Sequence, residues 1–121
     1  MVELPQPRVA DQGAEIDPQA RVADLSVGQV QSVELAKVLL LRARCVILDE
    51  PSAVLTPTEA QQLWRSVREL AGRGLSVVLI THKLNDVRAC ADRVSVMRAG
   101  RLVGDVAAAD LDEAAVVRLM V

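Results

Sequence analysis

Aromatic side chains are almost missing from this 121-residue chain: it has no Tyr and no Phe, and Trp64 alone supplies the 1% aromatic content. A core made from it must be packed with Leu, Val, Ile and Ala, the composition of layered α/β sheets. The 51% hydrophobic content supports such a core, and the length allows one domain at most. Positive charge is in short supply too. With a formal charge of -2 and an isoelectric point near 5.4, there is no basic field to release counterions, which excludes nucleic acid as the main partner. Cysteine is scarce: Cys45 and Cys90 lie far apart without metal-ligand spacing and read as two reduced thiols. Long apolar runs are lacking as well. The stretch from Val38 to Leu41 is stopped by Arg42, far short of the ~20 residues of a membrane helix. The start, Met-Val-Glu-Leu-Pro, has an acid where a secretory signal carries positive charge. The expectation is a chain that is not exported by that route, does not insert directly into a membrane, and reaches one only through a partner.

What is present falls into an alternating order of elements. Residues 1–24 are rich in Pro, Gln, Asp and Gly without a sustained apolar period and read as a loop or poorly ordered lead-in. A helix should open near Ser26, with Gln29 completing a capping box, and run to about Arg42. Cys45 to Leu48 is a short apolar run ending in Asp49-Glu50-Pro51, which predicts a strand buried on both faces. Thr56, Pro57 and Glu59 start a second helix whose apolar face is Ala60, Leu63, Trp64, Val67 and Leu70, terminated by Gly72 and Gly74. A second aliphatic strand, Ser76 to Ile80, ends in Thr81-His82-Lys83, and a short helix is expected from about Asn85 to Ala91. Val94 to Met97 and Leu102 to Val106 flank Ala99-Gly100 as a hairpin, and Asp110 is placed as the cap of a last helix.

Ligands of open α/β sheets bind beyond the C-terminal ends of strands, so acids after one strand and a histidine after another point to a shared site. An aliphatic strand ending in Asp-Glu is the Walker B pattern of nucleotide hydrolases. In that pattern Asp49 suits Mg²⁺, directly or through water, and Glu50 suits polarising the attacking water. A solvated pair of strand-end acids is the plain alternative. His82, the single histidine, has the chemistry to hydrogen-bond a γ-phosphate and the attacking water, although a lone histidine is more often incidental. In Leu25-Ser26-Val27-Gly28-Gln29 a capped helix start aims free N–H groups forward, and Gly28 lets an anion approach closely; the plain account is a capped helix without a ligand.

In order, Leu25-Ser26-Val27-Gly28-Gln29, the strand with Asp49-Glu50, the segment Pro51 to Pro57, and Thr81-His82-Lys83 resemble the signature, Walker B, D-loop and H-loop of ATP-binding cassette (ABC) ATPases. The resemblance runs from roughly Asp17 to the end. It implies an α/β fold: a partial P-loop NTPase (RecA-like) core of parallel strands with flanking helices, residues 25–121 being the C-terminal part of a nucleotide-binding domain. Val27, where a further Gly is usual, and Ala53-Val54-Leu55-Thr56-Pro57 look like the first cassette of tandem ATPases in sugar and nucleoside importers. Val30-Gln31-Ser32 depart from the family, which usually continues with polar Gln and a basic residue.

The resemblance implies catalytic roles for Glu50 and His82 and a metal role for Asp49. It implies that Ser26, Val27, Gly28 and Gln29 face a γ-phosphate held by the opposite cassette, and that Ser52 and Leu55 lie in the D-loop across that seam. The implied cofactors are ATP and Mg²⁺. The implied partners are a second ABC cassette and transmembrane permease subunits, which would place the chain at the cytoplasmic face of the cell membrane. No Gly-x-x-x-x-Gly-Lys-Ser/Thr occurs, and Lys37 and Lys83, the only lysines, follow no glycine loop. The Walker A loop, the adenine-stacking aromatic and the Q-loop region are therefore not in these residues, and both ends look interrupted. The expectation is part of an importer ATPase that is inactive alone. The alternatives are a non-catalytic module lending its signature helix to a complete cassette, or an inert truncated remnant. Because the resembled core places the Walker A strand beside Ser76 to Ile80, that strand should have an unpaired edge.

Overall fold

The computed structural model describes residues 16–121, so most of the expected lead-in lies outside the described residues. A turn and a 3-10 helix, Val22–Asp24, lead into helix α1, Val27–Leu40. The capping box forms as expected: Ser26 Oγ accepts from the Gln29 N–H at 3.2 Å and Gln29 Oε1 accepts from the Ser26 N–H at 2.9 Å. The helix ends short of Arg42, which turns into the left-handed region at φ 51°. Strand β1, Cys45–Asp49, follows, then α2, Pro57–Gly72, and β2, Ser76–Ile80. Beyond them come α3, Leu84–Cys90, the strands β3, Arg93–Arg98, and β4, Arg101–Ala107, and α4, Glu113–Met120. Among the described residues, no helix is long and apolar enough to cross a membrane.

The apolar stripe of α2 forms the centre of the core, where Leu63, Trp64, Val67 and Leu70 are buried together with Leu35 of α1. Leu48, Val77 and Leu79 of β1 and β2 pack against this cluster from below. Full burial of one such aliphatic side chain is worth about 1.5–3 kcal/mol, so this single layer of contacts is what holds the helices on the strands. The two strands run parallel with Asp49 opposite Ile80, which sets their C-terminal ends side by side.

The expectation that β1 is buried on both faces is corrected by the structure. Side chains alternate across a strand, and only the Leu48 face meets helices among the described residues. Cys45 and Ile47 on the other face are exposed, Ile47 by 66%, and Val78 and Ile80 of β2 join them there.

The hairpin forms a separate antiparallel sheet, with a register shift between Val96 and Met97. Helix α4 packs on it: Val96 and Val116 are buried, and Gly104 leaves room for Leu119, whose Cδ1 lies 2.8 Å from where a Cβ would stand. The cap of α4 is Asp112, not Asp110 as the sequence suggests. Asp112 Oδ1 accepts from the Ala114 N–H at 3.0 Å, whereas Asp110 ends a short 3-10 turn two residues too early to reach the helix's free N–H groups. An ion pair of 2.7 Å between Arg88 and Glu113 ties α3 to α4. No strand pairing joins the two sheets among the described residues. Between β2 and β3 runs a groove of about 510 Å³ lined by Val77, Leu79, Val94, Val96, Val116 and Met120.

Candidate functional site

Parallel pairing of β1 and β2 brings the two strand-end motifs together. The ladder continues one residue past Asp49, with the Glu50 N–H donating to Ile80 O at 2.9 Å, and Glu50 takes a left-handed backbone at φ 46°. That conformation is uncommon outside glycine and asparagine, and here the strand on one side and the turn closed by Ala53 N–H to Glu50 O on the other hold it. The carboxylate is thereby aimed at His82: Glu50 Oε1 lies 2.8 Å from His82 Nδ1. A carboxylate accepts, so Nδ1–H donates to it, and the imidazole side chain itself is 70% exposed. The second oxygen, Glu50 Oε2, is buried with no hydrogen-bond partner among the described residues. Asp49, the residue before, is exposed at the same strand end.

Behind this pair lies a polar cluster that the sequence reading missed. Asp86 of α3 is buried, and its Oδ2 accepts from Ser52 Oγ at 2.6 Å and from Thr81 Oγ1 at 3.0 Å. Lys83 Nζ donates to Ser52 O at 3.0 Å. The signal that would have found Asp86 is an acid in the first turn of a helix starting directly after a strand end, where it must face the same surface as His82. Ser52 is turned inward into this cluster and Leu55 packs partly against the core, while Val54 between them is exposed.

The signature residues form a second locality. Among the described residues, no hydrogen bond or ion pair joins Ser26, Val27, Gly28 or Gln29 to Asp49, Glu50 or His82. One link runs deeper, from Gln31 Nε2 to Pro51 O at 3.3 Å. The space in front of Gly28 is taken by a carboxylate of the same chain: a Cβ on Gly28 would stand 2.8 Å from Glu59 Oε1. Glu59 is held below the ordinary carboxyl value, first by the Thr56 backbone N–H, then by the Thr56 hydroxyl, and to a smaller degree by the Gly28 N–H. It therefore serves two helix starts at once, completing the α2 capping box and lying beside the free N–H groups of α1.

A consequence can be measured. A group whose folded pKa is depressed contributes stability above its unfolded value and loses it as pH falls through the folded one. The Glu59 contribution should therefore be complete above the ordinary value of 4.5 and be lost as pH falls from there through the depressed value. Glu59→Gln removes the charge that both helix starts attract, so helix content followed by far-ultraviolet circular dichroism is expected to fall less on acidification through this range than in the wild type. Equal acid profiles for the two proteins would contradict that contribution.

Cys90 is half-buried, and burial pushes its thiol up to about 11, so it stays protonated at neutral pH and takes no part in this chemistry.

Comparison with known proteins agrees with this geometry. The profile described as ABC transporter matches residues 6–53. A ribose import ATP-binding protein of Rubrobacter xylanophilus is 51% identical over 109 residues, 90% of this chain but 22% of that protein. A glucose import ATP-binding protein of Haloferax volcanii is 45% identical over 99% of the chain, and a nucleoside import ATP-binding protein of Lactococcus lactis is 43% identical over 90%. The chain thus spans about a fifth of the length of the curated relatives it matches. Among solved structures, the ADP conformation of an ATP-binding cassette of an ABC transporter superposes with a TM-score of 0.70 at 28% identity, covering 79% of this chain and 40% of that one. The α/β arrangement is therefore that of the P-loop NTPase fold of such cassettes. On the sequence identity and the shared fold together, the chain corresponds to part of one ABC transporter ATP-binding domain.

Proposed function

We propose that this chain is the carboxyl-terminal part of the first ATP-hydrolysing cassette of a sugar or nucleoside importer, with residues 25–121 supplying the hydrolysis side of a MgATP site. The observation that carries the reading is the Glu50–His82 pair with Glu50 Oε2 left buried and unpartnered. Buried polar atoms are nearly always satisfied, so an orphan carboxylate oxygen at a strand end fits a water or ligand atom in contact with it. The names of the relatives, ribose, glucose and nucleoside import, support the importer class.

The residues present fit one edge of a MgATP site. Asp49 is exposed beside Glu50, and among the described residues no group of three or more His, Cys, Asp or Glu is arranged to hold a metal. Asp49 would thus share a Mg²⁺ with phosphate oxygens and water, as is usual for this ion. When bound, the metal supplies charge neutralisation on the phosphates. Glu50 Oε2 accepts a proton from a water in front of it, while Oε1 stays anchored by His82, so the base cannot rotate away. His82 Nε2 is left to accept a hydrogen bond from the same water or, in the imidazolium, to donate to a phosphate oxygen. Ser26, Val27, Gly28 and Gln29 serve a nucleotide held by a second cassette, for which Glu59 has to yield the space before Gly28. Ser52 and Leu55 belong to the segment at that seam, and transmembrane permease subunits are the membrane partners through which the assembly sits at the cytoplasmic face.

The phosphate grip is not among these residues, and the test follows from that. Titration calorimetry with MgATP is expected to give no measurable binding to the chain alone. Micromolar binding, about -8 kcal/mol, is expected once it is assembled with the amino-terminal part of the cassette from the ribose import relative of Rubrobacter xylanophilus. Micromolar binding by the chain alone, or none by the assembly, would overturn the reading.

A further inference from the structure

Glu50 sits in the turn after β1 and His82 in the loop after β2, and each would be free to drift if only the 2.8 Å contact between them held the pair. Both loops are instead fastened to one buried group. The Asp86 side chain, in a residue 5% exposed, accepts from Ser52 Oγ at 2.6 Å and from Thr81 Oγ1 at 3.0 Å through the same oxygen. Ser52 follows Glu50 closely in the chain and Thr81 directly precedes His82. Lys83, directly after His82, closes the ring from the other side by donating to Ser52 O at 3.0 Å, and its own N–H donates to Thr81 Oγ1 at 3.0 Å.

A buried carboxylate is costly unless hydrogen-bonded, and the shortness of the Ser52 contact is that of a charge-assisted bond. If Asp86 served only to start α3, a solvent-facing acid would do as well. Burial beneath both loops is what a clamp requires.

We propose that Asp86 is a positioning residue, which through Ser52 and Thr81 fixes the separation and angle of the Glu50–His82 pair. The inference rests on the roles given to Glu50 and His82 above, but its test reads geometry without nucleotide. The two can therefore fail separately: an assembly that shows the pair but never hydrolyses ATP defeats the functional reading alone.

The chain has one histidine, so labelling it with ¹⁵N-histidine and assembling it with the unlabelled amino-terminal half reports His82 by itself. The wild-type Nδ1 signal is expected at a hydrogen-bonded position, and Glu50→Ala should move it to that of free imidazole. Asp86→Ala should move it the same way, and Asp86→Asn, whose amide oxygen still accepts from both hydroxyls, should restore most of it. Arg88→Ala, which removes the α3–α4 ion pair, should leave it unchanged while lowering the melting midpoint. In the same assemblies Asp86→Ala should reduce MgATP hydrolysis by about a hundredfold, the scale of an ångström-sized misplacement, without changing MgATP affinity. If Asp86→Ala does not fold, the isosteric Thr81→Val decides, with a partial shift expected. A wild-type signal already at the free position overturns the proposal. So does a deciding variant that loses stability as Arg88→Ala does yet keeps the wild-type signal.

Discussion

Glu50→Gln in the assembled cassette is expected to lower MgATP turnover by roughly 10²- to 10⁴-fold, the range a positioned general base contributes, with MgATP affinity unchanged. The amide keeps the shape of the side chain, and its oxygen can still accept from His82 Nδ1–H, so the pairing at 2.8 Å is preserved. What changes is the buried, unpartnered position of Oε2, where an N–H₂ donor replaces the acceptor a water proton needs. A substitution that removes an interaction made only during reaction lowers turnover and turnover per binding event together and spares binding. Single-turnover kinetics beside equilibrium titration separate these. Near-normal hydrolysis by Glu50→Gln would remove Glu50 from the role of base and shift attention to His82 Nε2.

The isolated chain is expected to unfold over a broad temperature range and to aggregate. Among the described residues, the core of Leu35, Leu63, Trp64, Val67 and Leu70 lies on one side of β1 and β2, and the other side exposes Ile47, Val78 and Ile80. Among the described residues each sheet has two strands, and no hydrogen bond of the strand ladders crosses the groove from β2 to β3. Two-stranded sheets are marginal alone, and open edges beside apolar side chains pair readily with other chains. The ties across the gap are side-chain ones, such as the exposed Arg88–Glu113 pair, and exposed ion pairs contribute about 0–1 kcal/mol. A strand supplied between β2 and β3 would satisfy both edges and fill the groove of about 510 Å³ at once.

Local signals in the sequence were strong where one residue type at one spacing decides a structure. Both capping boxes, the α2 stripe and the two parallel strands were legible because Ser26 with Gln29 and Thr56 with Glu59 satisfy specific helix N–H groups, and because aliphatic runs bounded by polar strand ends have few alternatives. The meeting of Glu50 with His82 was also implied, since it follows from placing two strand ends side by side.

What could not be read depends on contacts across the fold. That β1 is covered on one side only among the described residues is set by which helices surround it, not by its own apolar run. Asp86 looks like any acid in a helix's first turn until α3 folds it beneath Ser52 and Thr81. Glu59 was legible as a cap of α2, but its approach to Gly28 arises only from packing α2 against α1. The cap of α4 differs from expectation because two acids, Asp110 and Asp112, compete and the chain's turn at Ala108–Asp110 favours the later one.

The central claim is that this chain is an incomplete part of a cassette whose missing strand belongs between β2 and β3. Trp64 gives the most direct test, being the single aromatic residue and 5% exposed at the centre of the core. Its fluorescence is to be followed during heating, with light scattering on the same sample, for the chain alone and after assembly with an amino-terminal cassette half that lacks tryptophan. The account predicts a sloping signal and rising scatter for the chain alone, and one sharp transition of a one-to-one complex after assembly. A monodisperse monomer with a sharp, reversible transition, unchanged by the added half, would contradict it.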